Sequence, residues 1–132
     1  MAKKRILLIE DEAELSRAIK IRLEAGGFEA ISAMDGEEGL EMARKEKPDL
    51  IVLDLILPSM SGFDVCRKLK VDKEYKDIPI IVLTAKFQPN DIRFGIAMGA
   101  DAYITKPYES RELLAKIGEL LAKRDEAGDH GY

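Results

Sequence analysis

One carboxylate interrupts the most apolar stretch of the chain, which runs from Leu50 to Pro58 and contains Asp54. A strand of this composition is typical of a parallel sheet that helices cover on both faces. A carboxylate buried in such a core without a partner costs much free energy, so we expect Asp54 to lie where the strand opens into a crevice. Metal binding and nucleophilic attack are among the kinds of chemistry that a carboxylate can perform there.

Polar residues also end three other predicted strands. Glu10 and Asp11 follow the first apolar run, Thr84 closes the fourth, and Lys106 follows the fifth. In an open parallel sheet, ligands bind at the carboxyl ends of the strands, so these four residues and Asp54 predict one shared crevice. Carboxylates that are packed together repel one another unless a cation neutralises them.

A hard cation such as Mg²⁺ suits this set of oxygen ligands. We expect Asp11 and Asp54 to bind the ion directly and Glu10 to bind it through water. Asp54 can then attack a phosphoryl donor while Lys106 and the Thr84 hydroxyl stabilise the phosphoryl oxygens. The residues alone therefore predict a phosphoryl acceptor.

Most of these residues also have a simpler structural explanation. Glu10 and Asp11 favour the N-terminus of a helix by charge alone, an effect of about 0.3–1 kcal/mol. Thr84 suits a helix cap, and Lys106 suits a solvated strand end. Asp54 is the exception, because a carboxylate in so apolar a run needs a partner. The joint placement of all five residues favours the site.

The apolar periodicity predicts five strands that alternate with five helices. The strands are expected at 4–9, 28–33, 50–57, 78–83 and 102–105. The first four helices are expected after residues 12, 35, 62 and 88, and the last helix over the apolar repeat from Leu113 to Leu121. This alternation predicts an α/β fold with a doubly wound parallel sheet. We expect one domain over residues 1–124 and a disordered tail over residues 125–132, where no apolar period continues.

Composition narrows the class of protein. The chain has 132 residues, of which 46% are apolar and 35% charged, as in a soluble globular domain. No window approaches the roughly 18 apolar residues of a membrane span, and we expect a cytoplasmic protein. The net charge of −4, with scattered basic residues, argues against direct nucleic-acid binding by this chain. The single cysteine, Cys66, is expected to be a buried helix residue.

Five motifs together resemble the receiver domain of bacterial two-component response regulators, over about residues 4–122. The motifs are Ile9-Glu10-Asp11, Asp54 with Leu57-Pro58 and Gly62, Leu83-Thr84-Ala85, Gly99-Ala100-Asp101, and Tyr103 through Lys106-Pro107. Their agreement in order and spacing makes the resemblance specific. It implies a flavodoxin-like, five-stranded parallel sheet in the order 2-1-3-4-5, flanked by five helices, as in the family's chemotaxis regulator.

The resemblance also implies a function. Asp54 would take a phosphoryl group from the phosphohistidine of a sensor histidine kinase or phosphotransfer protein. Glu10, Asp11 and Asp54 would bind Mg²⁺, and the backbone carbonyl of Ile56 would be a further protein ligand. Such a domain is a signalling phosphoacceptor that weakly catalyses its own phosphorylation and dephosphorylation, rather than an enzyme.

Two pairs of residues match positions that the family uses for switching and for phosphate lifetime. Thr84 and Tyr103 match the switching pair, in which the hydroxyl moves towards the phosphate and the ring turns inwards. Ile56 and Lys86 match the positions that flank the phosphoryl group. Because an apolar Ile56 cannot orient a water molecule, we expect a long-lived phosphate.

The resemblance implies further features and shows small departures. The Lys106-Pro107 peptide bond would be cis. The fourth helix, fifth strand and fifth helix would form the face that contacts a downstream protein target or a second copy in a homodimer. Glu10 replaces a common aspartate, and Ser59 and Ser61 stand where many members have glycine and aspartate.

Other classes remain as alternatives. A phosphatase with an aspartate nucleophile usually needs a second aspartate two residues later, where this chain has Ile56. A flavin-binding protein of the same sheet order needs a phosphate loop in place of the acidic residues after the first strand. An interaction domain that is not phosphorylated, or the receiver fragment of a longer transcription factor or hybrid kinase, stays open, as do the cognate kinase and the output.

Overall fold

A five-stranded parallel sheet forms the centre of the molecule. The computed structural model describes residues 3–130, with side chains for residues 3–126. The strands are β1 Arg5–Ile9, β2 Glu29–Ala33, β3 Leu50–Leu53, β4 Ile80–Thr84 and β5 Ala102–Thr105. They pair in the order β2-β1-β3-β4-β5, and each pairing is parallel. The predicted fold class and strand order are confirmed.

Five helices connect these strands. They are α1 Ala13–Ala25, α2 Gly36–Glu46, α3 Gly62–Lys70, α4 Pro89–Ala97 and α5 Ser110–His130. Helices α2 and α3 pack on one face of the sheet, and α1 and α5 pack on the other. Among the helices that the structure describes, none combines the length and the apolar character needed to cross a bilayer.

Alternation along the strands divides the core into two halves. In β1, Leu7 and Ile9 lie in the half under α2 and α3, whereas Ile6 and Leu8 lie in the half under α1 and α5. All four of these side chains are buried, because successive residues of a strand point to opposite faces of a sheet that is covered on both sides. The predicted burial of Cys66 in α3 is also confirmed.

The third strand is shorter than the apolar run predicted. It ends at Leu53, one residue before Asp54. Leu55 is buried outside the ladder, and Ile56 is 55% exposed. The apolar run therefore continues beyond the strand, because Leu55 fills the core from the connecting loop. The fourth strand begins at Ile80 rather than residue 78, since Pro79 has no N–H to donate to a ladder.

Helix α5 extends beyond residue 124, where the sequence predicted a disordered tail. The described helix continues to His130, and residues 131–132 lie outside the described part; the division into a domain over residues 1–124 and a tail over residues 125–132 stays a prediction. Polar contacts attach this end of the helix to the body: Arg124 donates to the Asp49 carbonyl at 2.8 Å, and Lys4 pairs with Asp125 at 3.3 Å. These contacts need no apolar periodicity, which explains why the pattern missed them.

Candidate functional site

The sheet register brings the predicted site residues to one edge. Ile9 is the partner of Leu53, and Thr84 is the partner of Thr105. Two backbone hydrogen bonds continue this alignment past the strand ends: Asp54 N donates to the Ile9 carbonyl at 3.0 Å, and Lys106 N donates to the Thr84 carbonyl at 2.8 Å. The polar residues that follow β1, β3 and β5 therefore meet around one crevice.

Three donors converge on the Asp54 carboxylate. The Lys106 ammonium donates to Asp54 Oδ2 at 2.9 Å, and the Thr84 hydroxyl donates to Asp54 Oδ1 at 2.8 Å. The backbone N–H of Ile56 also donates to Oδ1, at 3.1 Å. Asp54 is only 6% exposed, and Thr84 is fully buried. The partners that a buried carboxylate requires are thus all present.

Lys106 also links Asp54 to the acidic loop after β1. Its ammonium donates to Glu10 Oε1 at 2.8 Å, and Glu10 is only 1% exposed. Glu12, the N-cap residue of α1, makes no side-chain capping hydrogen bond. Glu10 Oε2 accepts from the backbone N–H of Glu12 at 3.2 Å, so Glu10 contributes to the helix start, but that role does not account for its ion pair with Lys106.

The carboxylate oxygens fit a hard divalent cation. Glu10, Asp11 and Asp54 each offer an oxygen atom, and these atoms lie within 4.8 Å of one another. Asp11 is exposed, so the cluster is open on that side. Three carboxylates and one ammonium leave two formal negative charges in surplus, which a divalent ion neutralises. Oxygen ligands with room for water are the donor set that Mg²⁺ prefers.

The electrostatics of the pocket shift two pKa values. Burial raises the pKa of Glu10, and the hydrogen bond from Lys106 opposes this shift without cancelling it. Burial alone lowers the pKa of Lys106, but its hydrogen bonds to Glu10 and Asp54 outweigh burial and raise that pKa. Desolvation is thus the main cause of the raised pKa of Glu10, and the nearby charge of Asp54 adds to it.

The loop after Asp54 approaches the strand end closely. Gly62 N donates to the Leu55 carbonyl at 3.0 Å, and a Cβ atom at position 62 would lie 2.2 Å from the Asp54 carbonyl oxygen. Only glycine fits there. Ser59, in the same loop, has a φ of 65°, in the left-handed region that favours glycine. Its hydroxyl is held by Asp35 and by the N–H of Glu37.

Both residues of the predicted switching pair, Thr84 and Tyr103, make hydrogen bonds through their hydroxyl groups. The Thr84 hydroxyl already faces Asp54, while Tyr103 is half-buried and donates its hydroxyl to the Lys86 carbonyl at 2.8 Å. Burial raises the pKa of Tyr103 to about 12, and the charges of Asp91 and Asp54 add to the shift. The Lys106-Pro107 peptide bond is cis, as the resemblance implied.

The two positions predicted to affect phosphate lifetime differ in placement. The Ile56 side chain is 55% exposed beside Asp54, to which its own N–H donates. The Lys86 ammonium instead lies 3.9 Å from Asp91 Oδ1, at the start of α4. Sequence reasoning missed Gly95, a buried glycine of α4 that lies against the Tyr103 ring. A glycine inside a predicted helix was the signal that could have revealed it.

The family follows from a direct comparison with known proteins. A family model described as the response regulator receiver domain matches residues 6–118. The chain belongs to this family. The predicted recognition is therefore confirmed, and the protein is a receiver domain with the acidic pocket typical of a phosphoacceptor. A receiver domain is a signalling module rather than a classical enzyme, which agrees with the prediction.

Relatives and a solved structure agree with this assignment. The receiver domain is 43% identical over 121 residues to the DNA-binding dual master transcriptional regulator RpaA of Synechocystis sp., covering 92% of this chain and 50% of that protein. It is 42% identical over 130 residues to the probable transcriptional regulator ycf27 of Porphyridium aerugineum, covering 98% and 53%. The chain thus spans about half the length of these relatives. A CheY-like receiver domain protein from Methanospirillum hungatei matches with a TM-score of 0.88 and 33% identity, over 95% of this chain and 98% of that one.

Proposed function

We propose that Asp54 accepts a phosphoryl group from the phosphohistidine of a sensor histidine kinase or phosphotransfer protein. The observation that carries this proposal is the convergence of Lys106, Thr84 and the Ile56 N–H on one buried carboxylate within an acidic pocket. Donors placed around a nucleophile can stabilise the charge that develops on the transferred group. Membership of the receiver family supports the same role.

The transfer is a substitution at phosphorus. An Asp54 oxygen forms the new bond to phosphorus while the phosphorus–nitrogen bond breaks, and the bonding electron pair stays on the donor imidazole. Lys106 and Thr84 then redirect their hydrogen bonds from the Asp54 oxygens to the phosphoryl oxygens. Because positioning and charge stabilisation dominate such reactions, these two residues would contribute to self-catalysed transfer together with a cation held by the acidic pocket.

We propose that the pocket holds Mg²⁺ for this reaction. Asp11 and Asp54 would bind the ion directly, Glu10 would bind it through water, and the backbone carbonyl of Ile56 would be a further ligand. When bound, the ion supplies positive charge next to the phosphoryl oxygens. The two surplus negative charges of the pocket and the short distances between its carboxylates support this assignment.

Phosphorylation would be reported through Thr84 and Tyr103. New contacts from Thr84 and Lys106 to the phosphoryl group exist only in the phosphorylated form, so they shift the population towards it. The Tyr103 ring lies on the face formed by α4, β5 and α5, which we propose as the contact face for a downstream protein or a homodimer. Phe94 and Ile96 of α4 are about half exposed.

The output is proposed from the relatives. RpaA is described as a DNA-binding transcriptional regulator and is about twice as long as this chain. We therefore propose that this receiver controls transcription through a longer protein, in the cytoplasm, where a free thiol such as Cys66 persists. The chain itself would not contact nucleic acid. The second candidate function is that of a protein-interaction domain that is not phosphorylated. The labelling assay described next separates the two functions.

The test uses a small phosphoryl donor. Purified protein is incubated with phosphoramidate and Mg²⁺, and intact mass is followed with time. We expect one added phosphoryl group in the wild type and none in Asp54→Asn or in EDTA. The exposed Asp77→Asn variant is the matched control and should label like the wild type. Equal labelling of Asp54→Asn would refute Asp54 as the acceptor, and an unlabelled wild type would favour the unphosphorylated interaction domain.

A further inference from the structure

Gly95 stands at an unusual position in α4. It is the buried residue of this helix, and it lies well inside the helix rather than at an end. Glycine in a helix interior is unfavourable relative to alanine, because the chain loses more conformational freedom on folding. A buried, interior glycine therefore calls for a local reason.

The reason is the Tyr103 ring of the neighbouring strand. A Cβ atom at position 95 would lie 2.9 Å from Tyr103 Cε2 and 3.0 Å from Cδ2, closer than carbon atoms pack. The next neighbour, Phe63 Cε1, would be at an ordinary 3.9 Å. The ring thus touches the helix only because residue 95 has no side chain.

The far end of the ring is held as well. The Tyr103 hydroxyl donates to the Lys86 carbonyl at 2.8 Å, in the segment that leads into α4. Phe94 of α4 contacts Phe63 of α3 edge to face, with ring centroids 4.8 Å apart, which keeps the helix beside the sheet. If a side chain were added at position 95, the Tyr103 ring would move more easily than the helix, because it turns about single bonds.

We propose that Gly95 is a positioning residue of the switch, which provides the space for the inward position of the Tyr103 ring, the position that the ring has in this structure; this rests on the proposed function of Thr84 and Tyr103 as the switching pair. A side chain at position 95 excludes the ring from this space. The ring then stays outward, and phosphorylation of Asp54 no longer changes the face formed by α4, β5 and α5. Phosphorylation itself should be unaffected, because the atoms nearest to a Cβ at position 95 belong to Tyr103 and Phe63 rather than to Asp54 or Lys106.

The chain offers a matched control. Gly118 lies inside α5, and a Cβ atom there would meet no atom within 4 Å. Replacing either glycine by alanine gains the same helix propensity. The two substitutions therefore differ in the overlap with Tyr103 that occurs only at position 95.

The first experiment compares thermal unfolding of five proteins. These are the wild type, Gly95→Ala, Tyr103→Ala, the double variant and Gly118→Ala. We expect Gly118→Ala to raise the melting temperature and Gly95→Ala to lower it. In the Tyr103→Ala background, Gly95→Ala should instead raise it, a coupling of about tenfold in the unfolding equilibrium constant.

Two results would overturn the proposal. One is a rise in melting temperature for Gly95→Ala in the wild-type background, and the other is an equal fall in both backgrounds. If Gly95→Ala does not fold, the double variant decides: recovery of folding supports the overlap with Tyr103, and continued unfolding refutes it.

The second experiment observes the ring directly. Protein labelled with 3-fluorotyrosine gives one fluorine resonance for each tyrosine, and the Tyr103→Phe variant assigns the resonance of Tyr103. Without a phosphoryl donor, Gly95→Ala should move this resonance towards its position in unfolded protein, whereas Gly118→Ala should leave it in place. With phosphoramidate and Mg²⁺, the wild-type resonance should move further from its position in unfolded protein, because phosphorylation increases the population with the ring beside Gly95. The Gly95→Ala resonance should not move in this direction, while both proteins gain one phosphoryl group.

These readouts separate the two proposals. If the wild type gains no phosphoryl group, the phosphoacceptor proposal fails, but the resonance measured without a donor still tests the position of the ring. If both proteins are phosphorylated and the Tyr103 resonance is the same in each, the role of Gly95 is refuted and the acceptor role of Asp54 stands.

Discussion

Replacement of Lys106 by methionine tests how the acidic pocket is held together. The variant keeps most of the side-chain volume but removes the ammonium that bridges Glu10 and Asp54. Removing one partner of a fully buried ion pair costs about 3–5 kcal/mol. The Lys106 side chain is 17% exposed, so we expect a smaller loss, of about 2–3 kcal/mol in the free energy of unfolding.

The assay is urea unfolding, with and without Mg²⁺. In EDTA, a loss of this size lowers the urea midpoint by about 1 M for a typical m value. Mg²⁺ should reduce the loss, because the variant has no ammonium that competes for the carboxylates. Tenfold tighter binding of the ion would restore about 1.4 kcal/mol at saturation.

The loss should also depend on pH. Burial already raises the folded-state pKa of Glu10, and loss of Lys106 raises it further. A carboxyl whose folded pKa is raised destabilises the folded protein more as the pH rises above its unfolded pKa. The deficit of the variant should therefore shrink as the pH falls and Glu10 becomes protonated.

A surface lysine provides the control for this experiment. Lys116 pairs with Glu119 at 3.0 Å on the exposed surface of α5, and Lys116→Met should cost less than about 0.5 kcal/mol. If Lys106→Met costs no more than Lys116→Met in EDTA, or if Mg²⁺ leaves its deficit unchanged, the argument that Lys106 neutralises a buried acidic pair is refuted.

Three further predictions concern the switch, the phosphate and the core. Thr84→Ala should keep phosphorylation of Asp54 but weaken the phosphorylation-dependent affinity for a partner or second copy. The expected loss is about tenfold, because one hydrogen bond to a charged group is removed; an unchanged affinity measured by titration refutes the switch. Ile56→Asn should speed hydrolysis of the Asp54 phosphate about tenfold, because an amide can orient water; equal or slower decay by mass spectrometry argues against this. Burial raises the pKa of Cys66 to about 11, so alkylation at pH 8 should be at least about 100-fold slower in the native protein than in urea; similar rates would contradict its burial.

Much of the fold and the site could be predicted from the sequence. Apolar runs bounded by glycine and proline predicted all ten elements, and the polar residues at the strand ends predicted the pocket. This worked because parallel strands end at a common edge, so position along the chain determines proximity there. Glu10, Asp54 and Lys106 meet as that rule requires.

Other features depend on tertiary geometry that periodicity does not encode. The apolar run after Leu53 did not reveal that Leu55 is buried from a loop while Ile56 is exposed. The end of α5 is held by the Arg124 side chain and the Asp49 carbonyl, which lie 75 positions apart in the chain. The contact between Gly95 and Tyr103 depends on where α4 crosses the edge of the sheet.

The close approach of Gly62 to the Asp54 carbonyl limits how the backbone next to the phosphoryl acceptor can move. On that side the backbone of Asp54 is in such close contact with Gly62 that an added Cβ would lie 2.2 Å from the Asp54 carbonyl oxygen. On the other side, the Asp54 carboxylate contacts the side chains of Thr84, which ends β4, and Lys106, which follows β5. We therefore expect a change at the Asp54 carboxylate to reach the rest of the domain through β4 and β5 rather than through the loop that contains Gly62.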